Sequence, residues 1–242
     1  NNNYNAGYST AANQGAKKSQ GKYIFFLNPD TLFLENSLAK ISKIAEGFNK
    51  LGVIGPKLIN EEGLAQQSCW KSPTVLNTML SLLHLDFFNY RKNYKNKKFN
   101  KISKVDSVSG GAFFLTRNLF NKLGGFNENL FWMEDIDFCF RAKKMGYDIS
   151  YFPFTKIIHF VGKSAEKNYK IAISNQMISK IKFFKNHHSP LAGFIILCTV
   201  MFVSIIKSTL MLIILPFSDL YRKKAIAYLF TIYSIIKKER KY

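Results

Sequence analysis

Lys22-Tyr-Ile-Phe-Phe-Leu-Asn-Pro-Asp-Thr31 opens as a short aromatic-rich apolar run and closes on an amide, a proline and a carboxylate. The apolar half has the composition of a buried strand. In an open α/β sheet, ligands sit outside the carboxyl ends of the strands. A strand that exits into Asn28-Pro29-Asp30 therefore sets one amide and one carboxylate where a metal diphosphate would be held, and Mg²⁺ or Mn²⁺ suits such oxygen ligands. The same tripeptide also reads as an ordinary turn, because Asn-Pro and Pro-Asp are strong turn formers.

Around this strand the chain alternates between the two periods, which argues for an α/β fold. Residues 5–19 read as a helix on the sheet. A helix over Asn36–Asn49 follows, with Asn36 as N-cap. Gly52–Ile59 reads as a strand broken by Pro56, and residues 64–70 as a further short strand. There Gln66-Gln67-Ser68 suits either an exposed edge or an acceptor sugar. Residues 74–104 pass from apolar to basic without a motif, as a surface excursion would, and His84 among its leucines reads as packing. Val105–Thr116 returns to strand character. Within it, Gly110-Gly111 suits a bulge or a close backbone approach to a ligand. Asp148–Phe152 and Thr155–His159 supply the last strands.

A second acidic site lies at Asn127–Arg141, where Glu134, Asp135 and Asp137 follow the apolar run Leu130–Met133. They enter a helix expected over Glu134–Met145 and closed by Gly146. Carboxylates fixed at a helix start serve as general base or metal ligand. They also complement the positive end of a helix dipole without any chemistry.

Six segments occur in order: Asn5–Gly15, Gly21–Thr31, Ser109–Arg117, Gly124–Glu128, Glu134–Arg141 and His159–Ser164. As a series they resemble the inverting glycosyltransferases of family 2, in particular the bacterial rhamnosyltransferase-like branch that builds cell-surface polysaccharide. The resemblance covers roughly residues 3–165. It implies a GT-A-like nucleotide-sugar-binding sheet with helices on both faces. It also implies sugar transfer, with inversion, from a nucleotide-diphosphate sugar to a glycan or lipid-linked acceptor. Asp135, next to Glu134, is then the base that deprotonates the acceptor. Asn5, Gly7, Asn13, Asn28, Asp30, Gly110 and Gly111 fall at donor-binding positions, and Asp30 and His159 at the divalent metal. Two departures stand out: Asn28 where the family often has a second Asp, and Asn127 where it usually has one. The family's first strand and helix, which cradle the nucleotide, are expected to be missing ahead of Asn5. A fragment, or a truncated and inactive membrane-associated glycan-binding or assembly protein, is the alternative expectation.

Composition adds the partner. The 242 residues carry a formal charge of +20 and three cysteines, Cys69, Cys139 and Cys198. Three scattered thiols give neither a disulfide framework nor metal-ligand spacing, and suit buried thiols in a reducing compartment. Basic residues gather at Arg91–Lys104, Lys163–Lys185, Arg222–Lys224 and Lys237–Lys241. No helix-turn-helix, zinc or RNA-recognition signature accompanies them, so nucleic acid is not expected. After a boundary at 165/166, a basic helix over Lys167–Lys185 precedes Leu191–Leu215, 25 residues with Lys207 as the one charge. Ala225–Ile236 adds 12 apolar residues, too few to cross a bilayer. Basic flanks on both sides of the longer segment conflict with a single span under the positive-inside tendency. Helices lying on an anionic membrane surface remove the conflict, which places the chain on the cytoplasmic face of the cell membrane.

Overall fold

A computed structural model describes residues 2–48, 50–85, 94, 99–160, 168–214 and 218–237. The basic residues at 91, 92, 95, 97, 98, 163, 167, 238, 240 and 241 lie outside the described residues, as does the end of the His159–Ser164 segment. The chain forms two compact units. One comprises residues 1–72, 90–128 and 134–161; the other comprises 73–89, 129–133 and 162–242. The boundary expected at 165/166 lies outside the described residues, and residues 73–89 and 129–133 belong to the second unit.

In the first unit the strands are β1 (Tyr23–Leu27), β2 (Thr31–Phe33), β3 (Leu51–Ile59), β4 (Cys69–Trp70), β5 (Ser103–Lys104), β6 (Ser107–Val108), β7 (Ala112–Thr116) and β8 (Asp148–His159). The main sheet runs β1-β7-β3-β8-β2, with β5 also on β8, and β4 pairs with β6 separately. β7 is antiparallel to both β1 and β3, while β3 and β8 are parallel. The carboxyl ends of β1, β3 and β8 therefore share one edge of the sheet, together with the start of β7. That shared edge is what gathers the site.

Strand alternation divides the core between two faces. Ile24, Phe26, Val53, Phe113, Leu115, Ile149 and Tyr151 face one way. There they meet α1 (Tyr8–Lys18), α4 (Arg117–Lys122) and α5 (Glu134–Lys144) through Ala16, Phe120, Phe138 and Ala142. Ile54, Phe114 and Phe152 face the other way, onto Ile41 and Ala45 of α2 (Ser37–Ala45). Helices thus cover both faces, as expected. The many phenylalanines are explained by the first face, where Phe26, Phe113, Phe120 and Phe138 each pack against Phe126.

Local chemistry sets the element ends. Asn36 caps α2 by accepting from the Ala39 N–H, and Gly146 ends α5 with φ 79°. α2 stops at Ala45 rather than Asn49. Pro56 does not break β3; it causes a register shift against β8 between Pro56 and Lys57. β8 is correspondingly one strand, not two. Val105–Thr116 is not one strand either: it splits into β6 and β7 around Gly110-Gly111.

The second unit holds α3 (Val75–Leu82), α6 (Tyr169–His187), α7 (Pro190–Ile214) and α8 (Asp219–Ile236). α3 lies in the segment expected to be an irregular excursion, and starts with a Thr74/Asn77 capping box. By length and composition, α7 is long and apolar enough to cross a membrane. α7 and α8 bury the small and polar residues Ala192, Ser204, Ser208, Ala225, Ala227 and Thr231 together with Ile196, Val200, Val203 and Tyr228. Other large apolar residues face outward, including Leu191, Phe194, Phe202, Ile213 and Leu229. Cys69 and Cys139 are buried as expected; Cys198 on α7 is exposed, which corrects that expectation. His84 is also not a packing residue: it is exposed, and its Nε2 lies 2.7 Å from Lys207 Nζ.

Candidate active site

Asp30 follows β1 and precedes β2, and His159 ends β8, opposite Thr31 in the register. The Phe160 N–H donates to the Asp30 carbonyl at 2.9 Å, tying the two segments together. His159 Nε2 lies 3.5 Å from Asp30 Oδ1 and 3.4 Å from the Asn28 amide nitrogen. The three sequence-expected residues Asn28, Asp30 and His159 thus converge. Among the described residues no three His, Cys, Asp or Glu side chains form a metal-binding group. One carboxylate, one imidazole and one amide make a partial shell, which suits a divalent ion completed by phosphate oxygens and water.

Gln66 joins them. Its amide nitrogen donates to the His159 carbonyl at 2.8 Å, and its Oε1 lies 3.3 Å from His159 Nδ1. This second bond leaves Nε2 as the ring nitrogen facing Asp30, the usual way an outer partner orients a ligating histidine. An alternating polar segment such as Gln66-Gln67-Ser68 gives no hint of that pairing, because its partner lies 93 residues away in sequence.

Asp135 lies in the first turn of α5, half-buried. Its Oδ2 accepts from the Gly110 N–H at 2.8 Å and its Oδ1 from the Ile136 N–H at 2.7 Å. Burial pushes its carboxyl pKa up, against the pull of those amide bonds. A carboxyl moved toward neutrality while held by a rigid amide is suited to proton transfer. Tyr8 borders the same carboxylates. Its hydroxyl is raised well above the ordinary range by burial and then by the Glu134 and Asp135 charges.

The Ser109-Gly110-Gly111 turn links the two halves. A Cβ on Gly110 would touch Asp135 at 3.5 Å, and one on Gly111 would stand 3.2 Å from the His159 ring. The Gly111 carbonyl also accepts from the Asn28 N–H at 3.1 Å. Close approach accounts for Gly111, where a Cβ would crowd the His159 ring; at Gly110 a Cβ would make ordinary contact.

The remaining expected residues divide. Asn5 accepts from the Gly7 N–H at 3.1 Å, and Gly7, with φ 80°, starts α1. Asn13 is buried. Its amide nitrogen donates to the Phe126 carbonyl and to Glu128, and its oxygen accepts from the Phe126 N–H, which braces the Gly124–Phe126 turn. Asp137 is likewise structural, buried and paired with Arg141 at 2.8 Å.

A family model described as glycosyl transferase family 2 matches residues 1–124. A second, described as N-terminal domain of galactosyltransferase, matches residues 91–163. A curated relative from Haloferax volcanii, the low-salt glycan biosynthesis hexosyltransferase Agl10, is 26% identical over 64% of this chain and 49% of its own length. An N-acetylglucosaminyl-diphospho-decaprenol L-rhamnosyltransferase from Mycobacterium tuberculosis is 22% identical over 76% of this chain and 66% of its own. The chain therefore spans between half and two-thirds of these relatives. A solved mannosyltransferase from Pyrobaculum calidifontis, in complex with GDP-Man and Mn²⁺, is similar with a TM-score of 0.47 and 14% identity, covering 96% of this chain and 67% of that one.

Proposed function

The chain belongs to glycosyl transferase family 2, and from that premise we propose that it transfers a hexosyl group, with inversion, from a nucleotide-diphosphate sugar to a lipid-linked glycan acceptor in cell-surface polysaccharide synthesis. The observation that carries this reading is the position of Asp135. It is clamped by the Gly110 amide in a turn whose next residue packs on His159, so a base and a diphosphate-facing pair share one strand edge. Asp135 takes the proton of the acceptor hydroxyl as that oxygen attacks the anomeric carbon, and the nucleoside diphosphate leaves from the opposite face. The two curated relatives, named as a hexosyltransferase and as a rhamnosyltransferase, support the substrate class. Incubating the chain with nucleotide sugars and a polyprenyl-diphosphate-linked sugar tests it: labelled sugar should enter the lipid fraction.

Asp30 and His159 would hold Mg²⁺ or Mn²⁺, which supplies positive charge to the departing diphosphate. With Asn28 uncharged, Asp30 is the single carboxylate of that loop. Mn²⁺ is expected to tighten nucleoside diphosphate binding by tenfold or more in calorimetry, on the order of one metal-bridged contact, and Asp30→Ala to remove that gain. Equal affinity with and without chelator would count against the metal.

The cytoplasmic membrane face is the proposed location. The large apolar side chains that α7 and α8 expose, among them Phe194, Phe202, Ile213 and Leu229, support it, because helices that meet lipid present such residues outward. Each basic side chain near an anionic surface adds about 1 kcal/mol, and the apolar faces add an attraction that salt does not screen. Binding to anionic vesicles should therefore weaken with salt yet need detergent for full release. Recovery of the chain in the supernatant at low salt would refute attachment.

A further inference from the structure

The second unit contains a cavity of about 410 Å³ lined by residues of α6, α7 and α8 with His84 and Trp132. Its apolar wall includes Ala172, Ile173 and Met211, and its charges are those of Lys207 and Lys224. Among the described residues that line it, none is a carboxylate. Among the described residues of this unit the one acidic side chain is Asp219, and it is paired elsewhere, with Arg222 at 2.9 Å and Lys223 at 2.6 Å. The cavity lysines instead lie against an imidazole and aromatic rings. Lys207 reaches His84 and lies 5.4 Å from the Tyr228 ring; Lys224 lies 5.5 Å from the Tyr169 ring. Aromatic faces place an ammonium group but leave its charge uncompensated.

Backbone strain marks the same cavity independently. Among the described residues, three non-glycine residues have positive φ, and two of them, His84 at 59° and Trp132 at 82°, line it. For a bulky residue such as Trp this conformation is unfavourable and persists only where the surroundings impose it; such residues gather at ligand clamps. On α6, the Lys180 ammonium is pulled down to about 8, first by burial and then by the Lys207 charge.

We propose that this cavity binds the phosphate group of a single-chain lipid phosphate, with the phosphate between Lys207 and Lys224 and the first methylenes of the chain against Met211 and Ile173. Two cations and an apolar wall in one pocket fit a molecule that is anionic at one end and apolar at the other. The inference rests on the reading above that the substrate is lipid-linked, and it supplies a holding site for that lipid.

The test uses the full chain carrying Trp70→Phe, so that Trp132 is the one tryptophan fluorophore. The probes are decyl phosphate, decanol and inorganic phosphate, each below any micelle-forming concentration. Decyl phosphate should shift Trp132 emission saturably, with decanol and inorganic phosphate at least tenfold weaker. Lys207→Gln with Lys224→Gln should weaken decyl phosphate at least tenfold, while Lys43→Gln on α2 leaves it unchanged. Equal affinity for decanol would make the pocket merely apolar, and equal affinity for inorganic phosphate would make it a free-phosphate site. Either result overturns the proposal without needing the double variant to fold. No nucleotide sugar is present, so failure here with sugar transfer intact removes this site alone. Binding here without transfer removes the activity reading alone.

Discussion

Asp135→Asn is expected to lower the turnover of sugar transfer a hundredfold or more while leaving nucleotide affinity within about twofold, the usual contribution of a positioned general base. The amide keeps the shape of the carboxylate and its oxygen can still accept from the Gly110 N–H, so the turn that also carries Gly111 stays in place. What is lost is the capacity to take a proton. The pH profile gives a second readout. Burial raises the Asp135 pKa, so the base is protonated, and activity falls, at a higher pH than for an ordinary carboxylate. That acidic limb should disappear in the variant's residual activity. A variant that transfers sugar at the wild-type rate would pass the role to Glu134, its neighbour in the same helical turn.

The second large effect is on stability. Arg141→Leu should cost the first unit about 3–5 kcal/mol, the range for breaking one side of a buried ion pair. Asp137 is fully buried, and the Arg141 guanidinium, besides its bond to Asp137, donates to the Leu123 carbonyl at 2.7 Å and the Gly125 carbonyl at 2.9 Å. The substitution strips all three bonds and leaves the carboxylate in a low-dielectric setting. Lys40→Ala removes an exposed partner of Glu35 and should cost less than about 1 kcal/mol. Urea unfolding in a Trp132→Phe background, followed by Trp70 fluorescence, measures both. Equal midpoints for the two variants would show that the buried pair does not hold the Gly124-Gly125 turn.

Local patterns carried much of the fold into the sequence. The aromatic run before Asn28, the Asn36 cap and the Gly146 stop each act within a few residues, and the strand, the helix start and the helix end they mark stand there. α3 was hidden because its capping box uses Asn77 in place of the more usual Glu or Gln. The division of Val105–Thr116 and the unity of β8 depend on pairing with distant strands, which periodicity does not encode. The site shows the same contrast. Asn28, Asp30, Asp135, Gly110, Gly111 and His159 were legible because ordered motifs marked them, and the sheet edge brings them together. The partners of Gln66 and Asn13 were not legible, because an amide side chain has the same sequence signature whether it orients a histidine, braces a turn or meets a ligand. Their partners, His159 and Phe126, decide the matter through tertiary contact.

The most direct measurement is the anomeric configuration of the product, read by proton NMR after incubating the chain with an α-configured nucleotide sugar and a polyprenyl-diphosphate-linked sugar. Direct displacement assisted by Asp135 requires a new β-linkage, formed in step with release of one nucleoside diphosphate per bond and suppressed a hundredfold or more in Asp135→Asn. An α-linked product, or release of nucleoside diphosphate that does not depend on the acceptor, would contradict it.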